Sequence, residues 1–152
     1  MIITPLTSDD VEEVVSTLPT RERQSAVRYQ VSRPGQNYAM RLYGKLLGCG
    51  GMTIQVNPET NEVIPGVGEA WLVWIPTGKR YPKSVYRALR TLLTEMIEHM
   101  DLTEVQCFVA HEHVQGHRLT KHLGFALAQE HVAGFDYDLY RGIPRKEAAN
   151  GR

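Results

Sequence analysis

The feature that most constrains the fold of this chain is an apolar stripe that directly follows a strand-like run. The stripe recurs at three- and four-residue spacing, at Val85, Ala88, Leu89, Leu92, Leu93, Met96, Ile97 and Met100. This period is that of an α-helix with one buried face. The run from Glu69 to Ile75 is apolar on both of its faces, which is typical of a covered central strand. The chain therefore requires a sheet with at least one helix packed on it.

The remaining segments alternate between strand-like and helix-like patterns. Thr7 offers a helix N-cap, the segment from Arg21 to about Tyr29 predicts a second helix, and a polar loop is predicted from Asn57 to Gly68. The predicted elements, in order, are a strand at 2–6, a helix from 8, a helix at 21–29, strands at 38–42, 52–56 and 69–75, a helix at 85–100, a strand at 105–110, a helix at 113–122 and two strands within 125–140. This order predicts an α/β (α+β) fold in which a mixed sheet carries helices on both faces.

Composition limits the classes of partner. The 17 acidic and 17 basic side chains balance, so nucleic acid and membrane surfaces are not expected partners. No segment is apolar over the length that a bilayer requires, which predicts a soluble, cytoplasmic protein. Cys49 and Cys107 lie in apolar runs without the spacing of a zinc or redox motif, so both are predicted to be reduced core residues. Residues 1–141 are predicted to form one domain and 142–152 a flexible polar tail.

Three stretches carry a resemblance to a known family: Tyr43–Gly51 (YGKLLGCGG), Glu69–Pro76 (EAWLVWIP) and His113–Phe125, which ends in Leu-Gly-Phe. In this order, and over nearly the whole chain, they resemble the GNAT acetyltransferases. The resemblance implies a mostly antiparallel central sheet and an N-acyltransferase that moves an acetyl group from acetyl-CoA to a small-molecule or peptide amine. Some GNAT-like proteins pair strands across a dimer, so the resemblance also implies a homodimer as one possible state.

A narrower resemblance concerns Ala70–Val73 and Arg80–Ser84, which look like segments of small GNAT-like proteins encoded by tailed bacteriophages. It implies an alternative function, that of a non-catalytic phage, virion-associated or accessory protein that acts through partner binding. It also implies a location in the host cytoplasm or in the virion.

The resemblance assigns a set of residues to acetyl-CoA. The pantetheine strand comprises Leu72, Val73, Trp74 and Ile75, and the phosphate loop comprises Gly78, Lys79, Arg80, Lys83, Ser84 and Val85. The glycine-rich turn of the family is replaced here by Lys79–Ser84, in which Pro82 has no N–H to offer a phosphate. The three cations of this loop can bind phosphate by charge. The alternative is that they form a solvated basic loop.

The candidate catalytic residues are Glu69, His111 and Thr120. Glu69 begins the predicted central strand, where similar enzymes keep a base or a residue that orders water; the alternative is an exposed carboxylate at a strand end. Thr120 occupies the position of the family's acidic tyrosine but has no useful acidity near neutral pH. His111 follows a predicted strand and can carry a proton near neutrality. His113 and His117 share a helix face without a glutamate between them in the register of a metalloprotease, so no metal site is predicted.

Overall fold

The computed structural model describes residues 1–75, 80–132 and 136–143. The elements are β1 (Ile2–Pro5), α1 (Ser8–Thr17), α2 (Arg21–Ser32), β2 (Gly35–Leu42), β3 (Lys45–Val56), β4 (Val63–Trp74), α3 (Pro82–His99), β5 (Glu104–Ala110), α4 (Val114–His122), β6 (Ala126–Gln129) and β7 (Tyr137–Gly142). This is the order that the sequence predicts. Residues 133–135, which fall within the two predicted closing strands, and most of the predicted tail lie outside the described residues.

The strands form one sheet in the order β1-β2-β3-β4-β5-β7-β6. The neighbours β4 and β5 are parallel, whereas β1 with β2, β2 with β3, β5 with β7 and β6 with β7 are antiparallel. The predicted mixed, mostly antiparallel α/β fold is thereby confirmed. None of the helices in the described ranges is long and apolar enough to cross a membrane.

The chain divides into two compact units, one of residues 1–54 and 70–88 and the other of residues 55–69 and 89–152. In the first unit, Thr7 caps α1 in a capping box with Asp10. One buried cluster of this unit contains Val14, Ala39, Leu46, Cys49 and Ile75, and a second contains Val11, Val15 and Val27. Trp71 and Val73 of β4 pack against both clusters, so their side chains contribute to the core.

Glycines let β3 approach its neighbours closely in the first unit. A Cβ atom on Gly48 would lie 2.4 Å from the carbonyl oxygen of Val73, and one on Gly50 would lie 2.5 Å from that of Trp71. Contacts this short to backbone atoms are not tolerated. Strand packing therefore requires glycine at positions 48 and 50.

The second unit is built on β5 and β7. Their antiparallel register runs from Val105 opposite Gly142 to Ala110 opposite Tyr137. Alternate residues of β5 are buried, and Tyr140 of β7 is almost fully enclosed. The two cysteines, Cys49 in the first unit and Cys107 in the second, are free and buried, as predicted.

Several element boundaries differ from the sequence prediction: α2 extends to Ser32, β2 begins at Gly35, and β3 begins at Lys45 rather than near Met52. Residues 63–68 belong to β4 rather than to a polar loop, since Val67 and Gly68 pair with β5 and the carbonyl of Gly66 accepts from the Thr103 amide at 2.8 Å. The glycines of this segment mask its strand pattern. The long helix begins at Pro82 rather than after Ser84, because proline fits the first position of a helix, where an N–H would have no helical partner.

Candidate active site

Glu69 lies in the middle of β4 and is only 7% exposed. It occupies the last of three paired positions between β4 and β5, opposite Gln106. The side-chain amide of Gln55 donates a hydrogen bond to its Oε1 atom at 3.1 Å. The predictions that Glu69 begins the strand, or is an exposed strand-end carboxylate, are wrong because β4 begins six residues earlier, at Val63. A buried carboxylate with a polar neighbour can accept a proton from a substrate.

His111 follows β5 and forms an ion pair with Asp138 of β7. Its Nδ1 atom lies 3.0 and 2.9 Å from the two carboxylate oxygens of Asp138. The backbone N–H of His111 donates to the carbonyl of Asp136 at 2.8 Å, which fixes the turn after the strand. The hydrogen bond with Asp138 raises the pKa of His111 above its ordinary value, although partial burial opposes this. The structure therefore indicates that the Nδ1 atom of His111 carries a hydrogen and donates it to the carboxylate of Asp138.

Asp138 is buried and accepts two further contacts. The backbone N–H of His131 donates to its Oδ1 atom at 3.0 Å, and the Nε2 atom of His117 lies 3.7 Å from its Oδ2 atom. Burial by itself raises the pKa of Asp138, but the hydrogen bonds from the His131 amide and His111 bring it below its ordinary value. The carboxylate is thus held in its charged form by the backbone N–H of His131 and the side chain of His111.

His131 lies beside His111 and Asp138. Sequence reasoning identifies neither His131 nor Asp138 as a site residue. The ring centroid of His131 lies 4.0 Å from that of His111, and the ring planes are tilted by 35°. His131 has a φ angle of 47°, in the left-handed region that few residues other than glycine adopt. His111, His131 and Asp138 each offer one donor atom, and these atoms all lie within 4.8 Å of one another. No spacing in the sequence indicates this grouping, because it depends on the pairing of β5 with β7.

His117 has partners for both ring nitrogens. Its Nε2 atom lies 3.1 and 2.9 Å from the carbonyl oxygens of Ala110 and His111, so this nitrogen carries the hydrogen. Its Nδ1 atom accepts from the hydroxyl of Tyr140 at 2.7 Å. A neutral His117 therefore has no lone pair left for a metal ion, which removes the physical basis for a site formed with His113.

Thr120 is buried in α4, where its hydroxyl donates to the carbonyl of Gly116 at 2.7 Å. Burial raises the pKa of the neighbouring Cys107 thiol to about 12. The hydroxyl hydrogen of Thr120 is thus already used within its own helix.

The predicted pantetheine residues differ in their availability. Val73 packs on the core, and Ile75 is buried and donates its amide to the carbonyl of Leu47 at 3.1 Å. Leu72 and Trp74 are half-buried. The Nε1 atom of Trp74 is buried and has no hydrogen-bond partner within the described residues. A buried N–H without an acceptor is costly, so this position is suited to a ligand that supplies one.

Trp71, the other tryptophan, provides the contrast. Its Nε1 atom donates to the Oδ1 atom of Asn37 at 3.3 Å. This bond and its packing on both buried clusters of the first unit make Trp71 a core residue.

The start of α3 is where the resemblance places a diphosphate. Arg80 and Lys83 are exposed, and Ser84 is half-buried. The amide of Val85 donates to the carbonyl of Tyr81 at 3.0 Å, and its side chain is buried, so Val85 has no free group to offer a phosphate. Within the part of the chain that the structure describes, the first-turn amides of Lys83 and Ser84 have no backbone acceptor. Gly78 and Lys79 lie outside the described residues.

Comparisons with solved structures place this geometry among known folds. An acetyltransferase of the GNAT family from Streptococcus pneumoniae aligns over 93% of this chain and 98% of its own, with a TM-score of 0.63 and 19% identity. Spermidine N-acetyltransferase from Vibrio cholerae, in complex with CoA and spermine, aligns over 92% of both chains with a TM-score of 0.64 and 13% identity. The aminoglycoside acetyltransferase AAC(6')-Ib, in complex with coenzyme A, aligns over 93% of both chains with a TM-score of 0.68 and 12% identity.

These likenesses show that the chain has the fold of the GNAT acetyltransferases. No family model and no curated protein matches the sequence. At this level of identity the likeness concerns the fold, and function has to be argued from the residues.

Proposed function

We propose that this protein is an N-acetyltransferase that moves an acetyl group from acetyl-CoA to an amine. The observation that carries the proposal is the buried carboxylate of Glu69, at the end of the parallel pairing in a sheet with the GNAT strand order. Two proteins with this fold are described in complex with coenzyme A. The phage origin and the virion location remain predictions from the resemblance.

The residues of the first unit fit acetyl-CoA, which would supply the reactive thioester. The indole N–H of Trp74 needs an acceptor, and a carbonyl of the pantetheine arm would provide one. The amides of Lys83 and Ser84 at the start of α3 suit a diphosphate, with Arg80 and the Lys83 side chain adding charge. Pro82 has no N–H, but at the first position of α3 this N–H would have no acceptor within the helix, so the helix loses no hydrogen bond.

Glu69 is assigned the proton transfer. An ammonium acceptor must lose a proton before its nitrogen can attack the thioester carbon, and the carboxylate of Glu69 takes this proton. Gln55 holds one oxygen of this carboxylate in place. The new N–C bond forms as the C–S bond breaks, and the second proton that the nitrogen loses passes through water to the departing thiolate, because the hydroxyl of Thr120 is bound within its helix.

Binding is tested first, by calorimetric titration of the tag-free protein with acetyl-CoA. Replacement of both Arg80 and Lys83 by alanine is expected to weaken micromolar binding by about tenfold or more, since two charge-assisted contacts are lost. The matched control replaces Arg21 and Arg23, two exposed cations of α2, and should leave binding unchanged. Absence of binding at millimolar acetyl-CoA would refute the proposal.

Catalysis is tested by thiol release with a panel of amines that includes spermidine, spermine, an aminoglycoside and a lysine peptide. Glu69→Gln keeps the shape of the side chain and is expected to lower kcat by about 10²–10⁴-fold, the range for a lost general base. The His111→Ala variant, assayed in the same way, shows whether His111 contributes to the reaction independently of Glu69. Equal activity of Glu69→Gln and the parent protein would exclude Glu69 as the base.

The alternative function is that of a non-catalytic protein that acts through partner binding. The bound hydroxyl of Thr120 and the replacement of the family's glycine-rich turn by Lys79–Ser84 favour it, since each stands where the resemblance implies a customary functional feature. This alternative becomes the leading one when the amine panel yields no product while the protein remains folded. A homodimer, which the resemblance also implies, is tested in the same samples by light scattering.

A further inference from the structure

A cluster of metal-ligating side chains lies in the second unit and is not used by the proposed transfer. It comprises His111 at the end of β5, His131 after β6 and Asp138 in β7. One donor atom of each residue lies within 4.8 Å of those of the other two. The ligand atoms of a zinc site, each about 2.0–2.2 Å from the ion, lie closer to one another than this 4.8 Å limit. A modest rotation of the side chains would bring the three atoms to the spacing that zinc requires.

We propose that His111, His131 and Asp138 bind one divalent transition-metal ion, for which Zn²⁺ is the best match. Two imidazoles and one carboxylate are a donor set for zinc and its neighbours in the first transition row, whereas calcium and magnesium prefer oxygen alone. Three protein ligands leave a fourth position of a tetrahedral zinc site open to water or to a ligand.

The cluster is built by the backbone as well as by the side chains. The N–H of His131 donates to Asp138 while its own φ angle is in the left-handed region. That conformation is unfavourable for a residue with a Cβ atom and is retained where the surroundings enforce it. Here it accompanies the stacking of the His131 ring on His111, 4.0 Å away, so two imidazoles stand beside one buried carboxylate.

The neighbouring contacts fit an outer shell around such an ion. His117 donates from Nε2 to the carbonyl oxygen of His111 at 2.9 Å and is itself held by Tyr140. Partners of this kind orient metal ligands in known sites. When Nδ1 of His111 binds the ion, the hydrogen that it now donates to Asp138 is carried by Nε2 instead.

The test is a calorimetric titration of the tag-free protein with zinc chloride. The expected result is a stoichiometry of one ion per chain. His131→Ala is expected to weaken binding by more than the roughly 10–100-fold typical of outer-shell changes, because a direct ligand is lost. His99→Ala, which removes an exposed histidine from the end of α3, is the matched control and should bind zinc like the parent protein.

A second measurement needs no variant and so does not depend on folding of a mutant. Cobalt chloride added to the parent protein should give a visible absorption band that saturates at one equivalent and disappears when zinc is added. No band, or zinc binding unchanged in His131→Ala, overturns the proposal. Acetyl-CoA binding by the same samples is measured separately, so failure of the metal site and failure of the proposed transferase activity are distinguishable.

Discussion

The replacement Asp10→Ala tests how the first helix is held to the sheet. Asp10 is buried, and its Oδ2 atom accepts from the backbone N–H of Thr7 at 3.0 Å. Its Oδ1 atom is paired with the guanidinium of Arg41 in β2. The substitution therefore removes one half of the capping box and one partner of an ion pair in a single step.

The expected loss follows from these contacts. The lost hydrogen bond from the Thr7 N–H, which is one half of the capping box, contributes about 1 kcal/mol to the free energy of unfolding, and the acidic group in the first turn contributes about 0.3–1 kcal/mol. A hydrogen bond to a charged group contributes about 1.5–3 kcal/mol, which we reduce to about 1 kcal/mol because the Arg41 side chain is 29% exposed and regains water. The sum is about 2–3 kcal/mol.

Urea denaturation followed by circular dichroism measures this loss. A decrease of about 2–3 kcal/mol lowers the midpoint by about 1 M at the slopes usual for small proteins. The control is Glu12→Ala, because Glu12 is paired with Arg28 at the surface and its loss should change little. If Asp10→Ala unfolds at the same urea concentration as the control, the reasoning about the cap and the ion pair is wrong.

The same carboxylate gives a pH dependence with a definite sign. Burial alone raises the pKa of Asp10, but the hydrogen bonds from Arg41 and Thr7 bring it below its ordinary value. A lowered pKa in the folded state stabilises the protein above the ordinary aspartate pKa of about 4, and this contribution is lost as the pH falls through the lowered value. The stability difference between the parent protein and Asp10→Asn should therefore be constant from pH 7 to pH 5 and shrink below about pH 4.

Three further outcomes are expected. Gly48→Ala should lower the free energy of unfolding by about 1–3 kcal/mol in urea denaturation, because its Cβ atom would lie 2.4 Å from the carbonyl oxygen of Val73; an unchanged midpoint would contradict this packing. Cys49 and Cys107, whose pKa values burial raises to about 12, should resist a thiol reagent at pH 8 in the folded protein and react in urea, and rapid labelling without denaturant would disprove their burial. Tyr140→Phe should lower the free energy of unfolding by about 1 kcal/mol in the same denaturation assay, since it leaves the Nδ1 atom of the half-buried His117 without its donor, and a neutral effect would show that water replaces the hydroxyl.

The order of elements could be predicted because each element has a local signal. The apolar residues of α3 keep helical spacing along the whole helix, and the N-cap at Thr7 is indicated by the acidic residues that follow it. The first half of β4 was missed because Pro65, Gly66 and Gly68 carry a turn signal that pairing with β5 overrides. Local propensity is a weak guide where tertiary pairing decides the conformation.

The candidate site was predictable only in part, for the same reason. Glu69 and His111 were identified from their places beside strands, yet the burial of Glu69 depends on the six residues of β4 that precede it. Asp138 and His131 lie 27 and 20 residues from His111 and share no spacing with it. Only the antiparallel register of β5 and β7, in which Val109 lies opposite Asp138, places the carboxylate beside the turn that holds His111.

The indole of Trp74, whose N–H has no hydrogen-bond partner among the described residues, gives the protein an optical signal of its own. The chain has two tryptophans, and the indole N–H of Trp71 is already bonded to Asn37. Indole emission moves to longer wavelength when its N–H gains a polar partner. A ligand that supplies an acceptor to Trp74 therefore shifts the maximum of the intrinsic fluorescence to longer wavelength. In a Trp71→Phe background that emission comes from a single residue, and binding can be followed without any label.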